Sequence, residues 1–344
     1  MVQQQFRHGR RGKSLRPFQL SAGVQNRGYS LLLQKAIVDF GADVSFQRVP
    51  QKFQEHYGFE VPATMVRQIT EEHAAQMLEQ QSLQEQMPEQ AGVPVVVAEI
   101  DGSMIPIVQT AAAPAGEDRR KARKLGWQEA RLALAYAWGT VSPRFGATLG
   151  GPAEAGAQWK DCVIRAGAGS QTYIHGVGDG APWILEQKEQ QFGTQARYVI
   201  DFSHLSDYLA AAAPACCPAN PNGWLAQQQE QLKLSQVEPV LDAWVPFLER
   251  TSSAAKKEEA PVQACYRYME NRPGQFDYRA AIAKGLPIGS GQIESGHRYV
   301  IQSRLKLAGA WWKEENAGSM IALRVVRANN EWDAYWADSQ KKAA

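Results

Sequence analysis

The chain is poor in several things, and each shortage excludes a class. Four cysteines in 344 residues (Cys162, Cys216, Cys217, Cys265) are too few for a disulfide framework, and none has the CxxC spacing of a zinc site. No apolar run approaches 18 residues, and the basic N-terminus has no apolar segment behind it, so neither a membrane span nor a signal peptide is expected. These absences together suit a reducing cytoplasm. Net charge is also nearly missing: 37 Lys and Arg against 35 Asp and Glu leave +2, which by itself selects no partner. No internal repeat or sizeable low-complexity tract is visible.

The cations are bunched, however. Arg7, Arg10, Arg11, Lys13 and Arg16 open the chain, and Arg298, Arg304, Lys306, Lys313, Arg324 and Arg327 crowd its other end. Local basic patches bind phosphate backbones even at an overall charge near zero, although each residue also suits a plain solvated surface. With 44% apolar and 9% aromatic residues the chain can bury a core, which excludes a disordered protein. The length predicts two or three units.

Residues 1–27 are polar, basic and Gly-containing, and read as a flexible arm. Helical periodicity begins at Ser30 with Leu31, Leu32, Leu33, Ile37 and Val38. A helix over Gln47–Tyr57 capped by Ser45, a break at Gly58, and a second helix from Met65 to about Leu83 have the layout of a helix-turn-helix DNA reader. Plain helical pairs share that layout. The Gln-rich stretch Gln80–Gln90 reads as a linker or a helix end. The expected units are therefore an α-helical N-terminal region (1–92), the first part of an α/β core (93–209), a helical insertion (210–283) and a closing part with two helices (284–344).

Within the core, the β-branched run Pro94–Ile100 predicts a strand buried on both faces. Further strands are expected at Trp127–Trp138, Tyr173–Val177 and Arg197–Ile200, with helices over Pro182–Gln190 and from His204. In the insertion, Gln227–Arg250 reads as long helical text and Lys256–Glu259 as an exposed charged segment. After Pro287 a Gly/Ser turn opens a helix to about Leu307, and a last helix runs from Glu315 to about Trp336.

Three acids stand at telling points. Asp101 ends the first buried strand, Asp179 follows the Tyr173 strand, each is followed by Gly, and Glu294 lies in the first turn of a helix that Ser290 can cap. Acids on neighbouring strand ends and on a helix can converge to hold a pair of Mg²⁺ ions, which prefer carboxylate oxygens and activate water for phosphodiester cleavage. Taken singly, Asp-Gly is a common turn, and Glu294 also suits an i,i+4 pair with Arg298.

The segments VVVAEIDGSMIPI, HGVGDGAPWI, YVIDFSHLSDYL and LPIGSGQIESGHRYVIQSRLKLAGAWW resemble the catalytic blocks of insertion-sequence transposases. The resemblance is closest to the ISKra type and akin to the Mutator-like group, and ENAGSMIALRVVRANNEWDAYW is similar to that family's last helix. It covers roughly residues 93–209 and 284–336. What it implies is a DDE transposase with a ribonuclease-H-like fold, a helical insertion before the Glu-bearing helix, and catalytic Asp101, Asp179 and Glu294. It further implies two Mg²⁺ ions, with Mn²⁺ as a substitute, transposon-end and target DNA as partners, and a homodimer or larger assembly.

Asp201 and His204 resemble the Cys/Asp-x-x-His signature of the Mutator-like group, an accessory or DNA-contacting pair; an N-cap Asp with a nearby His reads equally well. Arg298 and Arg304 suit DNA phosphates or surface charge. Trp183, Trp311 and Trp312 suit core packing better than base stacking. No block centres on a hydroxyl nucleophile of a tyrosine or serine recombinase, and the six histidines are too scattered for a rolling-circle nuclease. A ribonuclease-H-like nuclease or a domesticated, non-catalytic DNA-binding protein remains as the alternative.

Overall fold

The apolar run at Pro94–Ile100 becomes the centre of a five-stranded sheet. The computed structural model describes residues 6–7, 14–15, 24–25, 28–110, 123–251 and 260–343. The flexible arm expected over 1–27 therefore lies outside the described residues except for three two-residue strands, and so does the charged segment Lys256–Glu259. The sheet strands are β1 (Val95–Thr110), β2 (Arg123–Ala137), β3 (Arg144–Thr148), β4 (Tyr173–Gly178) and β5 (Ala196–Ile200), in the order β3-β2-β1-β4-β5. The β1, β2 and β3 strands run antiparallel; β4 is parallel to β1 and β5 to β4. Each parallel step is made through a crossover helix, as parallel pairing demands: α4 (Pro152–Arg165) leads into β4 and α5 (Pro182–Phe192) into β5.

Alternation along β1 divides the interior in two. Val96, Ala98 and Ile100 face a core completed by Trp159 of α4, Ile184 of α5 and Leu205 of α6 (Phe202–Cys216). Val97 and Ile105 face the other core. There α1 (Leu31–Asp43), α2 (Val49–Tyr57) and α3 (Ala63–Glu79) meet the C-terminal helices, with Ile37, Phe53, Ile69 and Leu323 buried together. A strand covered on both faces must be apolar nearly throughout, which is why β1 reads as a continuous run.

Among its described residues, the region between β5 and the Glu-bearing helix is helical, as expected. It holds the rest of α6, then α7 (Pro221–Lys233), α8 (Val237–Asp242), α9 (Val245–Thr251), α10 (Pro261–Glu270) and α11 (Tyr278–Ala283). Its Trp244, Val262, Cys265 and Tyr278 enter the same core as the sheet, so it packs with the sheet. The chain then forms α12 (Gly291–Gly296), a π-helical turn (His297–Gln302) and the short α13 (Ser303–Leu305).

Several expected boundaries move. The last helix is two, α14 (Glu314–Ala328) and α15 (Trp332–Ala343), separated at Asn330, which takes φ 59°. Ser45 does not cap α2; Arg48 precedes that helix without a side-chain bond, while Gly58 ends it at φ 75°. The long text Gln227–Arg250 breaks after Lys233, where Ser235 has φ 59°. The β3 and α4 elements had no sequence expectation. Asp101 does not end its strand: β1 runs on to Thr110 in a long hairpin with β2. Gly102 there serves space and not a turn, because a Cβ on it would lie 2.0 Å from Glu129 Oε1.

Among the described residues no helix is long and apolar enough to cross a membrane.

Candidate functional site

The last parallel pair between β1 and β4 is Glu99 with Val177. Asp101 and Asp179 each lie two residues beyond it, so the register sets them side by side where β4 stops and β1 runs on. Adjacent strands lie about 4.8 Å apart, and the two carboxylates feel one another. Burial pushes the Asp101 carboxyl up to about 6; Asp179 and Glu129 add to that, while the Gly102 N–H and His204 oppose it. One oxygen on each acid is engaged locally: Asp101 Oδ1 accepts from Gly102 N–H at 2.7 Å, and Asp179 Oδ1 from Ala181 N–H at 2.8 Å.

The helical region braces the Asp179 turn. Tyr268 Oη donates to the Asp179 carbonyl at 2.5 Å, and Arg272 Nε to the Gly180 carbonyl at 2.7 Å. His204, half-buried, packs its ring edge-on to Tyr208 and Tyr268, with centroids 5.4 and 5.8 Å away.

Glu294 leaves α12 as an exposed side chain, but the turn that carries it is fastened twice. Glu99, fully buried on β1, accepts the Ile293 N–H on Oε2 at 2.8 Å. Burial pushes the Glu99 carboxyl up to about 8, against the lowering effect of the Ile293 N–H. Asp201 provides the second fastening. Its Oδ1 accepts Ser203 and His204 N–H at the start of α6, and its Oδ2 accepts both N–H and Oγ–H of Ser290. The Ser290 hydroxyl is therefore directed to Asp201 and makes no cap bond of its own on α12. Of the two readings of Asp201, the N-cap describes its geometry, extended to a clamp between α6 and the Glu294 turn.

One turn on, His297 is buried against Asp101, with Nε2 3.7 Å from Oδ2 and no closely aligned hydrogen bond on either ring nitrogen. Burial draws it down to about 4, opposed by the Asp101 backbone and aided by Lys306, and this favours the neutral ring at pH 7.

The remaining candidates separate. Arg298 is exposed and free to meet a phosphate. Arg304 is not: it is 2% exposed, donates Nε to the Gly41 carbonyl at 2.9 Å, and its guanidinium lies 4.7 Å from the ring centroids of both Phe46 and Trp312. Its role as a DNA contact is corrected to tying α13 onto α1. Trp312 is core, with Nε1–H on the Leu305 carbonyl, and Trp183 is half-buried under the Arg131 guanidinium. Trp311 departs from the core expectation, being 41% exposed.

The two expected helices exist as α2 and α3, but α3 carries Glu71, Glu72 and Glu79 against the single Arg67, a poor balance for phosphate. Sequence reasoning missed Glu99, Glu129, His297 and Tyr268. Glu99 alone left a signal, a carboxylate inside an apolar strand.

The oxygens of Asp101 and Asp179 suit a hard cation such as Mg²⁺, and the mutual repulsion of the acids is what a cation would relieve. Glu294 does not close on them: among the described residues no group of three or more His, Cys, Asp or Glu is gathered as a metal site.

The fold and site together define an α/β protein with a paired carboxylate at the carboxyl edge of a mixed sheet. The chain belongs to the uncharacterised protein family UPF0236, which matches residues 159–338. That stretch holds Asp179, Asp201, Glu294 and His297, and leaves Asp101 outside. No curated protein matches the chain.

Proposed function

We propose that this chain is a DNA transposase of the DDE kind, with a ribonuclease-H-like core and Asp101, Asp179 and Glu294 as its catalytic carboxylates. The observation that carries the proposal is the register: two acids from different strands stand abreast at the edge where helix and sheet meet. The order of three antiparallel and two parallel strands supports it, as do the transposase-like blocks, which fall on β1, β4, β5–α6 and α12.

Asp101 and Asp179 would hold the metal ions, with Glu294 as third ligand. When bound, Mg²⁺ supplies the positive charge that activates water or a 3′ hydroxyl and offsets the leaving oxygen. The protein's own groups prepare the place. Glu99 and the Asp201–Ser290 clamp seat the Glu294 turn on β1. Tyr268 and Arg272 fix the loop of Asp179. Neutral His297, 3.7 Å from Asp101 Oδ2, adds no positive charge that would repel a cation there. Arg298, exposed next to Glu294, is assigned to DNA phosphates. The partners are transposon-end and target DNA, joined by a dimer or larger assembly in the cytoplasm.

The test is a nicking and strand-joining assay on supercoiled DNA with Mg²⁺ or Mn²⁺. Wild type is expected to nick and join. Asp179→Asn should lose both by at least about 10³-fold while keeping its melting temperature and DNA affinity. An Asp179→Asn protein as active as wild type overturns the assignment. Cutting without joining assigns the centre to a ribonuclease-H-like nuclease.

A further inference from the structure

The chain that carries Glu294 runs along β1 step for step. Ile293 N–H meets Glu99, His297 Nε2 lies 3.7 Å from Asp101 Oδ2, Gln302 and Lys306 reach Ser103, and Trp312 bridges Ile107. Glu99, Asp101, Ser103 and Ile107 alternate along one face of β1, so this segment lies over the face that bears Asp101.

Within the segment Glu294, Arg298, Gln302 and Lys306 stand four residues apart. Four residues overshoot a turn of α-helix by about 40°. The π-helical turn His297–Gln302, bonded i→i+5, winds more residues per turn and offsets that drift. The four therefore keep to one edge. It is the edge toward β1, because Gln302 and Lys306 end on Ser103. The neighbouring row turns the other way, where Arg324 of α14 donates to the Tyr299 carbonyl and the Ser303 hydroxyl.

Lys306 is exposed, yet its Nζ is held in place. It donates to Ser103 Oγ at 2.7 Å, and Gln302 Nε2 lies 3.5 Å from the same oxygen. Ser103 is two residues past Asp101, about 7 Å along the strand, close to the step between neighbouring phosphates of one DNA strand. The Lys306 charge also reaches His297 beside Asp101 and helps to keep that ring neutral. No described acid pairs with Lys306 or with Arg298. An ammonium with one donor on a neutral hydroxyl keeps two donors and its whole charge for a ligand.

We infer that Lys306, seated on Ser103, binds the DNA phosphate next to the one that reacts at the carboxylates. The inference rests on the transposase reading and assigns that site a substrate contact. An anionic strand approaching three acids is repelled unless cations stand beside them, and Arg298 and Lys306 stand on the same edge as Glu294. Lys306 thus takes the part that the sequence offered to Arg304, whose guanidinium is held in the core.

The experiment is fluorescence anisotropy of a labelled duplex with the full chain at several salt concentrations in EDTA, beside the nicking assay in Mg²⁺. Lys306→Gln should weaken binding about 10-fold near about 0.1 M salt. It should also lower the slope of log affinity against log salt by about 1, the value of one phosphate contact. Nicking should fall by a similar factor at limiting DNA and recover at saturating DNA, because the contact is the same in bound and reacting DNA. Lys306→Arg keeps the charge and should restore both. A wild-type slope in Lys306→Gln overturns the inference, and so does a loss that Lys306→Arg fails to restore. The slope is read without divalent metal, so it is independent of cutting. A wild type that never nicks, with a slope that Lys306→Gln still lowers, sinks the carboxylate chemistry alone. A wild type that nicks, with a slope that Lys306→Gln leaves unmoved, sinks this contact alone.

Discussion

His73 and His297 are both nearly inaccessible, and burial draws both down to about 4. Their surroundings differ. His73 Nδ1 lies 2.6 Å from Tyr335 Oη and Nε2 2.8 Å from Gln34 Oε1, and the chain of bonds continues to Gln76 and the Tyr29 carbonyl. It ties α1, α3 and α15 together and leaves neither ring nitrogen idle. His297 has no closely aligned hydrogen bond on either ring nitrogen and leans only on Asp101, whose backbone opposes the effect of burial. Buried polar groups are ordinarily paired, so a fully paired histidine marks a joint, while one held loosely beside Asp101 is a candidate for a role at the carboxylates.

The comparison breaks if the two histidines respond alike to the same change. His73→Leu strips partners from Gln34 and Tyr335 inside the core and should cost about 3 kcal/mol in chemical denaturation. His297→Leu places an apolar group where only the Asp101 backbone was met and should change stability by less than about 1 kcal/mol, with nicking reduced at least about 10-fold. Equal losses of stability would make His297 a packing residue.

A smaller effect sharpens the same contrast. Glu99 is raised to about 8 in the folded chain from an ordinary 4.5, so it favours folding when protonated. That contribution is whole below pH 4.5 and is lost as pH rises through about 8. The buried histidines act oppositely, costing stability as pH falls from 6.5 towards 4. Glu99→Gln keeps an acceptor for Ile293 N–H and cannot ionise. Its stability should therefore draw ahead of wild type between pH 4.5 and 8, by about 4–5 kcal/mol at pH 8.5. Parallel pH curves for the two proteins would show that Glu99 does not titrate as the buried site requires.

The sheet was legible where sequence carries its own periodicity: Val95–Ile100, Tyr173–Val177 and Arg197–Ile200 are strands, and Asp101 and Asp179 stand beside them. What failed depended on distant partners. Gly102 reads as a turn unless one knows that Glu129 fills the space above it. Arg304 reads as a phosphate contact until Gly41 and Phe46 from one part of the chain and Trp312 from another close around it. Asp201 and Ser290, 89 residues apart, each look like an ordinary cap, and only the fold joins them. The helical insertion reads as an interruption because its contacts, such as Tyr268 on Asp179, are long in sequence. His297 was hidden by the acid it follows, since Glu294 and Arg298 form a plausible pair without it.

The central claim is that Asp101 and Asp179 form one cation site, and anomalous diffraction from a crystal of the whole chain soaked in Mn²⁺ tests it most directly. The account predicts density between the two carboxylates, with two ions about 3.5–4 Å apart once Glu294 joins, and none in Asp101→Asn. Manganese bound elsewhere while these oxygens stay bare, or bound equally in Asp101→Asn, would contradict it.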